Sequence, residues 1–179
     1  MAIRGIRWRL LWLGLAASLA LGAGGDPGIV IEVDRESFLL SARDLRSGES
    51  GPELRVTTGS PRHETPAGSY PLYTVILDPA WEPGAQARGA GARPQPSRID
   101  GPLGVAKLPF GDGGYAIHGA AHPLLLGKPV SLGCVRADDG ELLGLLDWLR
   151  TRRALGRPVP KPSGERHQAL LRPARILIR

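Results

Sequence analysis

The chain carries a single cysteine, Cys134, among 179 residues, so it cannot form an internal disulfide. Histidine is scarce as well, with four residues at positions 63, 118, 122 and 167. They lack the paired Cys/His spacing of a zinc site. His118 and His122 would share a face only on a helix, and Gly119 and Pro123 argue against one there. Aromatics make up 5% of the chain and nowhere alternate with basic residues as on a nucleic-acid surface. No internal repeat is present. The longest apolar run, LLWLGLAASLALGA at 10–23, falls short of the roughly 20 residues that span a bilayer.

That run sits behind Arg4, Arg7 and Arg9 and ends in small residues near 20–25, the pattern of an export signal. Residues 1–25 are therefore expected to be a signal peptide, with an uncleaved N-terminal anchor as the alternative and the sole expected membrane contact. No cysteine stands near the cleavage region to accept a lipid. Residues 26–179 suffice for one domain with its own core. The expected location is the periplasm or cell envelope. An exported chain that keeps one unpaired thiol exposes it to oxidation, so the thiol calls for a chemical reason.

Charge is unevenly spread. Residues 26–149 hold 11 basic and 16 acidic side chains, whereas residues 150–179 hold 9 basic and one acidic. The net charge of +6 thus describes a basic end rather than a basic protein. That end reads as a solvated face or as a surface for polyanions.

Strand character is expected at 28–34, 37–43, 53–59, 70–78, 115–119 and 174–179. The Gly- and Pro-rich stretch 79–112 reads as a long surface excursion that caps a cleft or covers an edge strand. One helix is expected at 138–150. Asp138 offers an N-cap oxygen, Glu141 follows at capping-box distance, and Leu142, Leu145, Leu146 and Leu149 form one stripe. A short second helix is expected at 165–172. Together these predict a mostly β, mixed sandwich or barrel-like domain with one main helix.

The segment YAIHGAAHPLLLGKPVSLGCVRADDG, 115–140, holds the thiol. Two readings of Cys134 follow from its residues. It fills the core as a small hydrophobe, or it acts as a nucleophile. Gly133 before it permits close approach of a carbonyl, the amides of Gly133 and Cys134 suit an oxyanion, and the capped helix beyond favours a thiolate. His118 is the candidate base, 16 residues earlier. His122 is the weaker candidate, out of phase with the strand. His63 and His167 read as surface residues, and Thr65, Pro66 and Gly68 as turn formers.

IHG followed by LGKPVSLGCVR resembles the His-Gly and Ser-x-Gly-Cys-[Ile/Val]-Arg signature of the L,D-transpeptidase (YkuD-type) catalytic domain. LRVTTGSPRHETPAGSYPLYTVILDPAWEPG, 54–84, is similar to the region upstream of it. The resemblance implies that fold, with Cys134 as nucleophile and His118 as base. It further implies oxyanion amides at Gly133 and Cys134, and a Gly119 carbonyl that orients the imidazole. Ser131 would hold the loop, and Arg136 would orient it or meet a substrate carboxylate. By the same resemblance the substrate is a peptidoglycan tetrapeptide stem, acylated onto the thiol and passed to an amine. Carbapenem-type β-lactams would be inhibitors, no metal or other cofactor would be needed, and the protein would be a monomer. A hydrolase of the same fold and a non-catalytic wall-binding module are the alternatives. Leu132, where the family often has His, and Ala120, where it often has Thr or Ser, depart from the pattern.

Overall fold

The computed structural model describes residues 28–179. The expected signal at 1–25 lies outside them. Twelve strands and two α-helices follow in chain order: β1 Ile29–Asp34, β2 Leu39–Asp44, β3 Ser50–Gly59, β4 Gly68–Pro71, β5 Thr74–Leu77, α1 Ala85–Gly89, β6 Ala106–Phe110, β7 Tyr115–His118, β8 Pro129–Ser131, β9 Val135–Ala137, α2 Asp139–Thr151, β10 Val159–Pro160, β11 Arg166–Ala169 and β12 Ala174–Ile178. No helix among the described residues is long and apolar enough to cross a membrane.

The strands join in one path, β10-β11-β5-β6-β7-β9-β3-β2-β1-β12-β4, with β8 on β3. Alternation decides which face each residue takes. Ile29, Ile31 and Val33 of β1 point inward, as do Ala174, Ile176 and Ile178 of β12 and Ala106, Leu108 and Phe110 of β6. Both halves of the path supply one hydrophobic cluster, so the sheet curls on itself. The Leu142, Leu145, Leu146 and Leu149 stripe of α2 enters the same cluster. A mostly β domain with one main helix is therefore what the chain builds.

Asp138 caps α2, accepting hydrogen bonds from Gly140 and Glu141 amides at 2.8 and 3.2 Å. The expected second helix at 165–172 is instead β11. Its four residues pair antiparallel with β5 from Arg166–Leu77 to Ala169–Thr74, and strand pairing outweighs weak local helix preference. The 70–78 strand is divided into β4 and β5, which bond to different neighbours, β12 and β6. The 79–112 excursion contains α1 and β6. Elsewhere it closes on itself through an antiparallel bridge between Trp81 and Gln95.

Candidate active site

The strand registers place six residues in a single row across one face. His167 pairs with Ile76, Ile76 with Lys107, Lys107 with His118, His118 with Arg136, and Arg136 with Thr57. Partners in register share a face. The adjoining Ile117 and Val135 point the other way, into the core. His118 therefore looks away from α2 and sits between two cations.

His118 is 3% exposed, and its Nδ1 lies 2.8 Å from the Gly119 carbonyl. A carbonyl only accepts, so Nδ1 carries the hydrogen and Nε2 is left with its lone pair. Burial holds the imidazole pKa down to about 4, aided by Arg136 and Lys107 and opposed by the Gly119 hydrogen bond. The ring is thus a neutral, oriented base at ordinary pH.

Gly119 also approaches Asp139, the first residue of α2. A Cβ at Gly119 would collide with the Asp139 carboxylate. That carboxylate accepts from the amides of Val105 and Ala120 at 3.0 and 3.1 Å. Ala120 has φ +58°, a left-handed conformation that alanine pays to adopt. Asp139 holds this corner, and with it the carbonyl that aims His118. Nothing in the sequence singled it out, because its partners lie 19 and 34 residues away. Asp139→Ala is expected to cost about 2 kcal/mol by leaving the Val105 amide without an acceptor. Urea unfolding would measure the loss, and slower acylation of Cys134 should accompany it.

Cys134 follows β8 and precedes β9, in a turn whose geometry the hydroxyl of Ser131 sets. Ser131 Oγ donates to the Cys134 carbonyl at 2.5 Å and accepts from the Gly133 amide at 3.0 Å. Ser131 itself is fully buried. Gly133 has φ +111°, and a Cβ there would stand 2.5 Å from the Tyr115 ring. Glycine is required on both counts. Its amide donates to Ser131 Oγ, so Gly133 also gives the turn its shape.

The Cys134 thiol is partly exposed and lies 4.0 Å from the Gly114 carbonyl. Burial pushes its pKa up, against smaller opposing effects of the Ala116 amide and Arg136. The expected thiolate-favouring helix is not at hand. All of β9 stands between Cys134 and α2, about 10 Å of extended chain, and Asp138 already satisfies the first free amides of α2. Near neutral pH the Cys134 thiol is thus protonated and the His118 imidazole uncharged.

The remaining candidates are placed elsewhere. His122 caps the 3-10 turn Pro123–Leu125, its Nδ1 accepting from the Leu124 amide at 3.3 Å. Thr65 is buried and accepts the Gly59 amide at 2.9 Å, a turn role as expected. His63 meets Ser60 at 3.4 Å. His167 lies against Glu165. Leu132 is 50% exposed. A 470 Å³ cavity between Leu77, Val105, Leu143 and Leu155 is lined by neither Cys134 nor His118.

The model of the L,D-transpeptidase catalytic domain, YkuD, matches residues 28–160. The chain belongs to this family. No curated protein matches it significantly. Among solved structures it is similar to an L,D-transpeptidase from Mycobacterium smegmatis, at 15% identity and TM-score 0.52, over 86% of this chain and 59% of that one. It is similar also to L,D-transpeptidase 3 from Mycobacterium tuberculosis, solved with a faropenem-derived adduct, at 16% identity and TM-score 0.52, over 86% and 60%. The catalytic domain of the E. faecium L,D-transpeptidase matches at 18% identity and TM-score 0.52, over 88% of this chain and 100% of that domain. The chain thus spans about three fifths of the two longer mycobacterial structures and all of the isolated catalytic domain. These likenesses establish the fold of a YkuD domain.

Proposed function

We propose that this YkuD domain is an exported peptidoglycan L,D-transpeptidase, working in the periplasm or cell envelope, with Cys134 as nucleophile and His118 as base. The observation that carries the reading is the His118–Gly119 hydrogen bond. It leaves Nε2 free at the end of β7, the strand that pairs with β9, and Cys134 immediately precedes β9. Export rests on the basic and apolar pattern at 4–23.

Nε2 removes the Sγ proton as Sγ bonds to the carbonyl carbon of a tetrapeptide stem. The Cys134 amide meets the oxyanion. The C–N bond then breaks, the terminal residue leaves as an amine with the proton from Nε2, and a thioester remains. An acceptor amine gives its proton to Nε2 and attacks the thioester, and the thiolate is released and reprotonated. One amide replaces another, so the reaction needs no metal or redox cofactor. The amine lies on a second stem or an anchored protein.

Incubating the protein with disaccharide-tetrapeptide, and separately with a penem or carbapenem, tests this by mass spectrometry. The expected results are an adduct confined to Cys134 and a crosslinked product. The faropenem-derived adduct of the M. tuberculosis enzyme supports the choice of probe. No adduct under reducing conditions would refute the nucleophile assignment. An adduct followed by hydrolysis alone would make the protein a hydrolase.

A further inference from the structure

We propose that Lys107 is the anchor for the carboxylate of the residue that the reaction expels. The inference rests on the transpeptidase reading and adds the recognition of a free C-terminal acid.

Three observations lead there. First, the row across the face has a chemical order. Cys134 immediately precedes β9, His118 ends β7, and Lys107 lies on β6, in register with His118 on the side away from β9. A substrate whose carbonyl meets the thiol places its leaving nitrogen at His118, because Nε2 must reach that nitrogen to protonate it. The carboxylate two bonds beyond the nitrogen then falls one strand further on. Strands lie about 4.8 Å apart, and a lysine side chain covers that interval.

Second, the Lys107 ammonium has hydrogen-bonding capacity in reserve. Its contacts, to the Ala80 carbonyl and to Glu165, are both 3.5 Å, at the outer limit of a hydrogen bond. Its side chain is 23% exposed. Glu165 is held by other donors, the Ala80 amide at 3.0 Å and Ser163 Oγ at 3.1 Å, with His167 Nε2 at 3.4 Å. Glu165 therefore keeps three other hydrogen-bond partners if Lys107 turns away.

Third, the charge on this face calls for an anion. Lys107 and Arg136 flank a neutral His118, and among the described residues the one ion pair that either of them makes is that of Lys107 with Glu165. Arg136 Nε is buried and has no hydrogen-bond partner among the described residues. An ordinary buried base would be surrounded by groups that do not repel its protonated form. Here two cations are kept beside it, an arrangement that a bound carboxylate would relieve while the imidazolium forms.

Binding can be measured apart from turnover. In the full chain carrying Cys134→Ala, calorimetry would compare a stem tetrapeptide ending in a free carboxylate with the same peptide ending in an amide. The acid is expected to bind about tenfold tighter, one charge-assisted contact. Lys107→Gln should remove that difference, and Lys107→Arg should retain most of it, since it preserves the charge even if the glutamine variant proves unstable. No acid preference in the parent, including no binding at all, overturns the assignment. So does a preference that survives Lys107→Gln. Equal weakening of acid and amide would place Lys107 in the support of the strand instead. If the Lys107-dependent preference is found but the protein with Cys134 intact forms no thioester, the transpeptidase reading falls and the carboxylate site stands.

Discussion

Replacing His118 with glutamine is expected to slow acylation of Cys134 by a factor of 10² to 10⁴, the range lost with a positioned general base. The thiol explains the size of the effect. Burial keeps it protonated near neutral pH, so attack requires a base to take the proton during the step. The pH profile separates this from a preformed thiolate–imidazolium pair. With His118 depressed to about 4, kcat/KM should rise through that pH and stay level across neutrality. An ion pair would give a second limb, falling where the imidazolium loses its proton. In the glutamine variant the acid limb should vanish, and the residual rate should climb only where the thiol itself ionises. Stopped-flow acylation by a chromogenic β-lactam would record both profiles.

Stability should be lost in two steps as the pH falls. Asp44, 3% exposed at the end of β2, receives both Nη atoms of Arg172 at 2.7 Å. The Arg46 amide adds a hydrogen bond at 3.0 Å. Chiefly through Arg172, the carboxyl pKa is lowered to about 2 from 3.8. The folded state therefore binds this proton less readily than the unfolded chain. Its contribution is complete above about pH 4 and disappears as the pH falls toward 2. His118 acts earlier. Its folded pKa of about 4 lies below the 6.5 of a free imidazole, so protonation of the unfolded chain drains stability between those values.

Asp44→Asn should cost about 3 kcal/mol at neutral pH, because it leaves a mostly buried guanidinium without its counter-charge. It should also flatten the stability curve between pH 4 and 2. Asp44→Leu combined with Arg172→Met should recover much of the loss, since removing both charges removes the desolvation penalty as well. Urea titrations at several pH values would check all three. Asp44→Asn as stable as the parent would mean that water, not Arg172, solvates the carboxylate.

Legibility along the chain followed the range of the interactions. Where a signal is local, the sequence was sufficient. The Asp138 cap and the leucine stripe specify α2 within a few residues, and alternation specifies β1 and β12. The Ser131-Leu132-Gly133-Cys134 turn is similarly self-contained. A hydroxyl spans to the amide two residues on and the carbonyl three residues on, and a glycine takes the positive φ. Hence the motif could be recognised from a handful of letters, and so could the candidate pair of His118 and Cys134.

What the sequence left undecided depends on partners far along the chain. ERHQALLR carries no strong alternation, and only the open edge of β5 makes part of it a strand. Asp139 looks like an ordinary first-turn carboxylate until the fold brings Gly119, Ala120 and Val105 against it. The state of the thiol was also misjudged from sequence, because proximity to a helix along the chain is not proximity to its N-terminus in space. Strand β9 intervenes, and burial sets the sign of the shift. Lys107 and Arg136 are separated from His118 by 11 and 18 residues, yet hydrogen-bond register makes them its neighbours. Residue types and local geometry determined which groups can react. The pairing of distant strands decided what surrounds them, and electrostatics acts through those surroundings.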